Sequence, residues 1–583
     1  MQKTHVLAIF LLLSVISLNA QTYIKNVSIL DVENHKIKKG QTVEIVDGKI
    51  TKIKSNKKIK ITENAEVING DGKFLMPGLT DAHIHFFQNG GLYSRPDILD
   101  LRGDQSYDDE IDLTFSTMED KLHRYLSYGI TNLIDVGATN NLLKKRKEYV
   151  NDPKTPSIYM TGPLLTTYKS KVYNDLKDDT PFSLIKKEED VVKYIEDQMQ
   201  YNPDFIKIWY ILDKKKYDTT EEAARAALPL VKKIIEESHK RNLKVAVHAT
   251  QRIAAQLAVE NGCDFLVHSV KDEVLTKDFA KLLKKNNVIL CPTLLVSVNY
   301  ATSYAQSPEL ELHELRRGNP HQIGTLMDLK KFLKTKDSAY SKHVINYGKR
   351  KVPERKEDLN ILLKNLKVLA DNDVLIATGT DAGNIGTIHA SSYLTEMETM
   401  KKSGMSNWQI LEASTINGAK VLSKENEFGA VKVGLKANLI LLDENPVEDL
   451  KNVLKIHRVF NKGEVFDPNK IVVDTPADLA QRQLNGYNLR NIEAFLEPYA
   501  EDVEVYDFPS GKLKYKGKDI MRERYQSMFE RVPNLYCNLE ERIVMRNTVI
   551  DKERVTFGDR EVEAIAIYKI ENGKIKQVYF VRD

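Results

Sequence analysis

Short apolar runs alternate with longer amphipathic segments along most of the chain. Runs such as 129–135, 243–248 and 288–291 are largely apolar, which is typical of strands that are buried on both faces. Segments with helical periodicity lie between such runs, for example 221–241 and 251–261. Alternation of strands and helices predicts an α/β fold with a parallel sheet.

Eight apolar runs of this kind predict a TIM (β/α)8 barrel. Their C-terminal ends fall near His85, Asp135, Thr161, Lys207, His248, His268, Cys291 and Asp381. Polar residues at the C-terminal strand ends of such a barrel converge on one face, where its active site lies.

Shorter alternating segments flank the predicted barrel. Residues 42–50 alternate and turn at Asp47-Gly48, which is a strong hairpin signal. Residues 430–467 are again rich in strand formers. The pattern permits these two ends to pair with each other but does not by itself show the pairing.

The tail of the chain, from about Asp474, has a different pattern. Residues 479–499 show helical spacing, 503–506 predict a strand, and 518–530 predict a second helix. Three closing strands are expected after that, with a hairpin turn at Asn572-Gly573. The tail, 475–583, is therefore predicted to be a separate α+β unit.

His83 and His85 stand two positions apart at the end of the first predicted strand. Side chains alternate along a strand, so both imidazoles face the same side and can reach one metal ion. Four later strand ends carry further candidate ligands: Lys207, His248, His268 and Asp381. Each alone has an ordinary alternative, such as a core histidine, a strand-end lysine or a turn aspartate. The six together at strand ends indicate a metal site.

These residues and their flanking sequences resemble the amidohydrolase superfamily, in its imidazolonepropionase- and prolidase-like branch. The resemblance rests on segments 77–85, 206–208 and 379–383 and on the two later histidines, and beyond the barrel on 413–420 and 434–443. It covers about residues 22 to 468. It implies a barrel over 75–424 and a small composite β-sandwich built from 21–74 and 425–470.

The resemblance also implies a centre of two divalent metal ions, with zinc the first choice for imidazole ligands. His83 and His85 would hold one ion, and His248 and His268 would hold the other. Lys207, carboxylated by carbon dioxide, would bridge the two ions as an anionic carbamate.

Asp381 would ligate the first ion and act as the catalytic acid–base group. The expected reaction is attack of a metal-bridging hydroxide on a cyclic amide or peptide-like carbon–nitrogen bond of a small molecule. Many relatives place a Gly-His pair near the loop after strand three, and 162–169 contains none. Lactone or phosphoester hydrolysis at the same centre therefore stays open. A catalytically silent binding protein is the third alternative.

Three further residues are candidate substrate contacts: His389, Tyr210 and Tyr168. The alternatives are a surface position for the histidine and simple packing for Tyr210. Residues 292–355 form a long polar excursion after strand seven. It is either a lid or specificity loop, or a surface excursion without substrate contact.

The tail resembles the SnoaL-like, NTF2-like fold, in which helices cover a curved sheet with a conical pocket. The resemblance rests on 487–495 and on the order of elements. Tyr487, Tyr499 and Asp507 are pocket candidates, with core packing as the alternative for the tyrosines. An accessory role in binding or in homo-oligomer contact is expected, because fold alone does not assign a function.

The first twenty residues predict a secretory signal peptide. Lys3 precedes an apolar stretch over 6–16, and Asn19-Ala20 suits cleavage after Ala20. The stretch is too short to span a membrane, so we expect an exported protein, periplasmic or secreted.

Charge and cysteine content narrow the function classes. The chain has 86 basic and 82 acidic residues, a net charge of +4, which is too balanced for a nucleic-acid-binding protein. Its three cysteines predict no disulfide framework. Cys263 and Cys291 are expected at opposite ends of the barrel.

Overall fold

The structure, a computed structural model, describes residues 21–168, 170–174, 179–213, 216–335 and 337–582. The predicted signal peptide, 1–20, lies outside the described residues. Among the helices of the described ranges, none is both long and apolar enough to cross a membrane.

Six strands open the described chain, and from about residue 79 to about residue 304 strands and helices largely alternate. The strands are β1 (Gln21–Asp31), β2 (Lys36–Val46), β3 (Lys49–Ser55), β4 (Glu66–Asn69), β5 (Phe74–Pro77), β6 (Leu79–Ile84), β7 (Ile130–Asp135), β8 (Ser157–Met160), β9 (Leu164–Thr166), β10 (Phe182–Leu184), β11 (Phe205–Trp209), β12 (Lys244–His248), β13 (Phe265–Val267), β14 (Ile289–Cys291), β15 (Leu439–Leu442), β16 (Ile456–Asn461), β17 (Glu464–Phe466), β18 (Tyr499–Asp507), β19 (Leu513–Lys516), β20 (Tyr536–Met545), β21 (Thr548–Phe557), β22 (Arg560–Glu571) and β23 (Lys574–Arg582). The helices are α1 (Tyr107–Ser116), α2 (Met118–Ser127), α3 (Asn140–Lys145), α4 (Glu188–Met199), α5 (Thr220–His239), α6 (Arg252–Glu260), α7 (Lys277–Lys285), α8 (Val296–Tyr304), α9 (Leu312–Arg317), α10 (Pro320–Thr325), α11 (Ser338–Ala370), α12 (Ser392–Lys402), α13 (Asn407–Ala413), α14 (Ile416–Val421), α15 (Pro476–Asn488), α16 (Ile492–Leu496) and α17 (Lys518–Arg531).

The two strand-rich ends that flank the barrel region pair with each other. β5 lies between β1, with which it is parallel, and β15, with which it is antiparallel. The sequence predicted a composite sandwich from these two ends, and hydrogen bonds join all these strands into one continuous sheet in the order β17-β16-β15-β5-β1-β2-β3, with β4 beside β1. The sheet is continuous because β5 uses both of its edges. The predicted domain limits themselves stay predictions.

The barrel region contains two parallel sheets, β6-β7-β8 and β10-β9-β11-β12-β13-β14. The segment expected as the eighth strand, 375–382, forms only isolated bridges, at Ile376 and Ala382. It still links the two sheets: Ala377 N donates to Leu290 O of β14, and Ala82 N of β6 donates to Thr378 O, each at 2.9 Å. It is irregular because Asp381 and Gly383 have positive φ values of +58° and +106°.

The third predicted strand, which ends near Thr161, matches β8, and the segment expected as the loop after it contains a further short strand, β9. Gly162-Pro163 separates the two strands, and Asp204 N, just before β11, donates to Met160 O at the end of β8. The two sheets are therefore also connected on this side. An inner hydrophobic cluster takes residues from β6, β7, the four strands β11 to β14 and the linking segment, including Phe205 and Phe265. Larger clusters lie between the strands and the surrounding helices.

The tail differs in detail from its prediction. The single helix expected over 479–499 is two helices, α15 and α16, because Arg490 adopts a left-handed conformation and the Asn491 side chain caps the second helix at Ala494 N. β19 was not predicted, and four strands close the chain instead of three. The tail sheet has the order β19-β18-β23-β22-β21-β20. The three cysteines are buried and unpaired, as expected.

Helix α15 of the tail packs against the excursion that follows β14. The Arg482 guanidinium donates to the carbonyl oxygens of Leu315 and Gly318 at 2.9 and 3.2 Å. Asn485 donates to Pro320 O at 2.7 Å. Gly324 lies so close that a Cβ there would come within 2.6 Å of Gln481 Nε2. The excursion therefore connects the barrel region to the tail.

Candidate metal centre

The histidine pair of β6 meets Asp381 at the bottom of a cavity. The Nε2 atoms of His83 and His85 lie 3.4 Å apart. They are 3.2 and 3.3 Å from the same atom, Asp381 Oδ1. Two ring nitrogens and a carboxylate oxygen thus converge on one point, which is the arrangement that a bound cation requires.

The two later histidines lie beside this group. His248 is the last residue of β12, and His268 follows β13 directly. Their ring centroids are 4.3 Å apart, and the His268 ring is 4.9 Å from that of His83. His83, His268 and Asp381 each offer a ligand atom within 4.8 Å of the others. The strand ends therefore bring the four histidines and the aspartate together.

Lys207 reaches the same place from β11. It pairs in register with Ala246 of β12. Its side chain is almost completely buried and lines the same cavity as His85, His248 and His268. Burial lowers the pKa of its ammonium to about 7, against the smaller opposing effect of Asp381. All six predicted ligands are thus neighbours in space.

Protonation states at the site suit a divalent cation. Burial lowers the pKa of His83 to about 3 and that of His248 and His268 well below the usual range, so these imidazoles are neutral. Burial alone would raise the pKa of Asp381, but the His83 and His85 imidazoles outweigh it and hold that pKa well below its usual value. Neutral imidazoles and an ionised carboxylate are the ligand forms that metals bind.

Asp381 Oδ1 also tests whether the residues at this site fit a metal ion. It is buried, and no atom of the described residues forms a hydrogen bond with it. Buried polar atoms nearly always have a partner, so this oxygen needs one that the protein does not supply. A cation held by Asp381 and the two Nε2 atoms would satisfy it, and the residues present therefore fit a metal.

A second layer of side chains holds the ligands in place. Asp81 accepts hydrogen bonds from Thr380 N at 3.0 Å, Thr380 Oγ1 at 2.7 Å and His83 N at 3.3 Å. It therefore ties β6 to the segment that carries Asp381. His268 Nδ1 lies 2.7 Å from Thr293 Oγ1. Such partners fix the orientation of ligand rings.

On the other side, His85 Nδ1 lies 2.8 Å from Gly137 O. Asp135 accepts from Gly137 N at 3.1 Å and from Phe86 N at 3.1 Å, so it fixes the same turn. Asp135 was predicted only as a strand end. The sequence signal for its role in holding this turn was its position at the end of the second predicted strand, which neighbours the strand of His83 and His85.

The backbone at the site is unusual. His268, Thr293 and Asp381 have φ values of +73°, +47° and +58°, in the left-handed region that non-glycine residues seldom adopt. Such conformations concentrate at functional sites. Gly379 is required for a different reason, since a Cβ there would lie 2.4 Å from Cys291 Sγ and 2.7 Å from His83 N.

A cavity of about 330 Å³ opens above the ligands. One wall is apolar, with Phe87, Leu164 and Phe182 beside Trp209, whose ring centroid is 4.8 Å from that of Phe182. Helix α8 contributes Val296, Ser297 and Tyr300 to the lining. The excursion at 292–355 therefore contacts the cavity through its first helix, while its later part contacts the tail.

Arg95, which the sequence analysis did not single out, organises the polar wall of this cavity. It forms a two-point ion pair with Asp97, with both nitrogen–oxygen distances 2.8 Å. Its NH1 donates to Tyr300 Oη at 3.1 Å and to Asn384 Oδ1 at 2.7 Å. Asn384 Nδ2 donates in turn to Asp381 O at 3.0 Å. The network joins the loop after β6, helix α8 and the loop that follows Asp381.

The three predicted substrate contacts are placed elsewhere. His389 is a buried core residue, because Tyr125 Oη and Gln88 O lie 3.0 and 2.9 Å from its ring nitrogens and Phe86 stacks on its ring. Tyr210 is also buried and donates its hydroxyl to Ala224 O. Tyr168 is 45% exposed and does not line the cavity. None of the three is among the residues that line the cavity, and their role as substrate contacts stays a prediction.

Comparison with known proteins agrees with this geometry. The amidohydrolase family profile matches residues 74–466. The chain belongs to the amidohydrolase family. A SnoaL-like domain profile matches residues 480–578 of this amidohydrolase, as the tail predicted.

Curated relatives match only part of the chain. A 5'-deoxyadenosine deaminase of Methanobrevibacter smithii is 29% identical over 114 residues, 18% of this chain and 25% of that protein. A 5-methylthioadenosine/S-adenosylhomocysteine deaminase of Syntrophomonas wolfei is 21% identical over 133 residues, 22% of this chain and 31% of that protein. The chain thus spans between a quarter and a third of the length of these relatives.

Solved structures share the fold at low identity. A Xaa-Pro dipeptidase with bound methionine in its active site has a TM-score of 0.56 at 19% identity, covering 77% of this chain and 100% of the other. The A. niger ochratoxinase has a TM-score of 0.56 at 18% identity, covering 77% of this chain and 96% of the other. Phenylurea hydrolase B gives 0.56 at 16%, covering 77% and 97%. Likeness at this identity establishes the fold and not the substrate.

Proposed function

We propose that this amidohydrolase is a metal-dependent enzyme that hydrolyses a carbon–nitrogen bond of a small amide. The observation that carries the proposal is the convergence of His83 Nε2 and His85 Nε2 on Asp381 Oδ1 beneath the cavity. A folded protein gains nothing from such a buried arrangement unless a cation completes it. We further infer that β6 to β9, β11 to β14 and the segment 375–382 form one closed (β/α)8 barrel. The backbone hydrogen bonds that link its two sheets on both sides support this inference.

The ligand set favours two ions. His83, His85 and Asp381 would hold one, and His248 and His268 the other. Lys207 would bridge them as a carbamate, since a buried neutral amine can add carbon dioxide whereas an ammonium cannot. Ions bound there, zinc being well matched to imidazole, would acidify a water molecule and polarise the scissile carbonyl.

The chain's own residues would direct the proton. Asp381 is ionised and lies at the floor of the cavity, so its carboxylate can take a proton from the attacking water. The new carbon–oxygen bond forms as this proton leaves the water. Asp381 then gives the proton to the departing nitrogen, which breaks the carbon–nitrogen bond and releases a neutral amine.

The walls suggest the shape of the substrate. Trp209, Phe182 and Phe87 form an apolar surface next to the ligands, which suits an aromatic or bulky aliphatic group beside the scissile amide. Arg95 is neutralised by Asp97, so we assign it to holding Tyr300 and Asn384 and not to binding a substrate carboxylate.

We also propose that the protein is exported, on the basis of the N-terminal pattern at 3–20. Fractionation of the source cells, with N-terminal sequencing of the mature protein, tests this. A mature chain that starts at Gln21 outside the cytoplasm is expected. A chain found only in the cytoplasm with its N-terminus intact would contradict it.

The function is tested by metal analysis together with a hydrolysis panel of N-acyl amino acids, dipeptides, hydantoins and lactones. We expect about two metals per wild-type chain and hydrolysis of amides. Lys207→Ala should lose metal and activity. Lys244→Ala is the matched control, because Lys244 begins the adjacent strand β12 and donates to the carbonyl oxygens of Lys420 and Val421 away from the cavity.

Three results separate the alternatives. If only the lactones are hydrolysed, the substrate is a cyclic ester and not an amide. A metal-loaded protein that hydrolyses nothing in the panel would favour a binding function. Full metal content in Lys207→Ala would show that the lysine is not a ligand.

A further inference from the structure

The tail contains a second cavity, of about 400 Å³, that shares no lining residue with the metal centre. It lies between helices α15 to α17 and the tail sheet. Its walls are mainly aromatic, with the following rings: Tyr487, Phe495, Tyr499, Tyr525, Phe557 and Phe580. Cavities of this size accommodate small organic ligands, and aromatic walls favour planar apolar groups.

Polar groups form a hydrogen-bonded chain at one side of this cavity. Tyr499 Oη donates to Gln483 Oε1 at 3.2 Å, and Gln483 Nε2 donates to Tyr568 Oη at 2.9 Å. Tyr568 Oη donates in turn to Glu553 Oε1 at 3.2 Å. All four side chains line the cavity and are buried. These four linked side chains provide both hydrogen-bond donors and acceptors to a ligand in the cavity.

Glu553 has an unusual environment for an acid. Burial, with a further contribution from Asp551, raises its pKa to about 7. Arg542, whose charge opposes this rise, is engaged by Asp551 through nitrogen–oxygen distances of 2.7 and 2.6 Å. Glu553 is therefore a poor partner for a ligand anion but a good partner for a neutral hydroxyl or carbonyl group.

The rim of the same cavity is basic. Lys514 and Arg524 are its exposed cationic lining residues. Lys514 Nζ is 2.7 Å from Asp507, whereas the Arg524 guanidinium lies over the Tyr515 ring, 4.6 Å from its centroid. Stacking on a ring leaves the edge of a guanidinium available for a carboxylate. The cavity thus has a cationic entrance, an aromatic middle and a neutral polar side.

We propose that the tail cavity is a second ligand site, which binds a small aromatic carboxylate that carries a hydroxyl or carbonyl group at its far end. The ring lies between the aromatic walls, and the carboxylate contacts Arg524 at the rim. The far polar group completes the hydrogen-bonded chain at Tyr568 and Glu553. This site stands independently of the hydrolase function proposed above.

The test is calorimetric titration of the metal-loaded full chain with 4-hydroxycinnamate, with cinnamate and the methyl ester of 4-hydroxycinnamate as comparison probes. Arg524→Glu should weaken 4-hydroxycinnamate binding by at least about tenfold, because one charge-assisted hydrogen bond is lost. The ester should bind the wild type about tenfold more weakly, and Arg524→Glu should add no further loss. Cinnamate should also bind more weakly, since the polar side then has no partner.

Controls separate this site from the metal centre. Arg531→Glu, on the same helix but outside the cavity, should leave binding unchanged, as should removal of metal by a chelator. Ala564→Phe would fill the cavity, so it should abolish binding while hydrolysis continues. No heat with any probe at millimolar concentration would overturn the proposal. Binding that survives Arg524→Glu, or that is lost on chelation, would also overturn it, whether or not Ala564→Phe folds.

Discussion

Arg482 is a buried polar link between the tail and the barrel region, and its replacement by methionine gives a sharp test. Its side chain is buried, forms a two-point ion pair with Asp474 at 2.6 and 2.9 Å, and donates to Leu315 O and Gly318 O. Methionine keeps much of the apolar contact but provides no donor. In the variant, Gly318 O still accepts a hydrogen bond from Arg124 at 3.3 Å, whereas Leu315 O loses the hydrogen bond from Arg482.

The size of the effect follows from these contacts. A buried carbonyl left without a donor costs about 1–3 kcal/mol, and a part-exposed ion pair contributes up to about 1 kcal/mol. Asp474 is 23% exposed, so water can take over part of its solvation. We therefore expect a loss of about 1–4 kcal/mol in the free energy of unfolding of the tail. For a unit of roughly 100 residues, each kcal/mol lost lowers the melting temperature by about 4–8 °C.

Differential scanning calorimetry of the full chain measures this, with Arg522→Met as the matched control. Arg522 also forms an ion pair, with Glu493, but both side chains are substantially exposed. That control should change the free energy of unfolding by less than about 1 kcal/mol. Equal effects of the two substitutions would refute the reasoning, because the difference in burial would then have no energetic consequence.

Three more predictions concern single positions. Gly379→Ala should destabilise the barrel region by about 1–3 kcal/mol and reduce metal content, because the new Cβ would overlap Cys291 and the His83 backbone. Thermal melting and metal analysis measure these effects. Gly103→Ala is the control and should be neutral, because nothing lies within 4 Å of a Cβ there. Asp81→Ala should weaken metal binding by about tenfold to a hundredfold in a chelator competition, and unchanged affinity would argue against its positioning role. Glu553→Gln should change the dependence of stability on pH. The folded pKa of about 7 lies above the ordinary value of 4.5, so the wild type loses stability as pH rises through this window and the variant does not. Urea unfolding at about pH 5 and about pH 8 should show the variant gaining on the wild type at the higher pH, and a constant difference would count against the assigned pKa.

The sequence predicted which candidate ligands lie together because their signal is local. His83 and His85 are fixed by the two-residue period of a strand, and the other ligands end apolar runs that become strands. The backbone around Asp381 was less predictable: the run 375–380 has the composition of a strand, yet the left-handed φ of Asp381 interrupts regular pairing. Such a conformation depends on contacts from Asp81 and His83 that are distant in the sequence.

The places of the predicted substrate contacts were not fixed by the sequence, for the same reason. Whether a strand-end side chain faces a cavity or the core depends on the register of neighbouring elements. Tyr210 faces helix α5, where Ala224 O accepts its hydroxyl proton, and His389 lies between Tyr125 and Phe86. Arg95 had no sequence signal, because its partners Tyr300 and Asn384 lie more than two hundred positions away.

The position of β5 between β1 and β15 affects the order in which the protein folds during its synthesis. The strands β1 to β5 are synthesised first, yet the edge of β5 has no partner until residues 439–442 follow, several hundred positions later. An unpaired strand edge is a template for wrong pairing with another chain. During synthesis the small sheet therefore stays incomplete until the barrel region, which lies between its two parts in the sequence, has been made. Its closure is one of the last events before the tail, and slow steps in folding of this protein should be sought there.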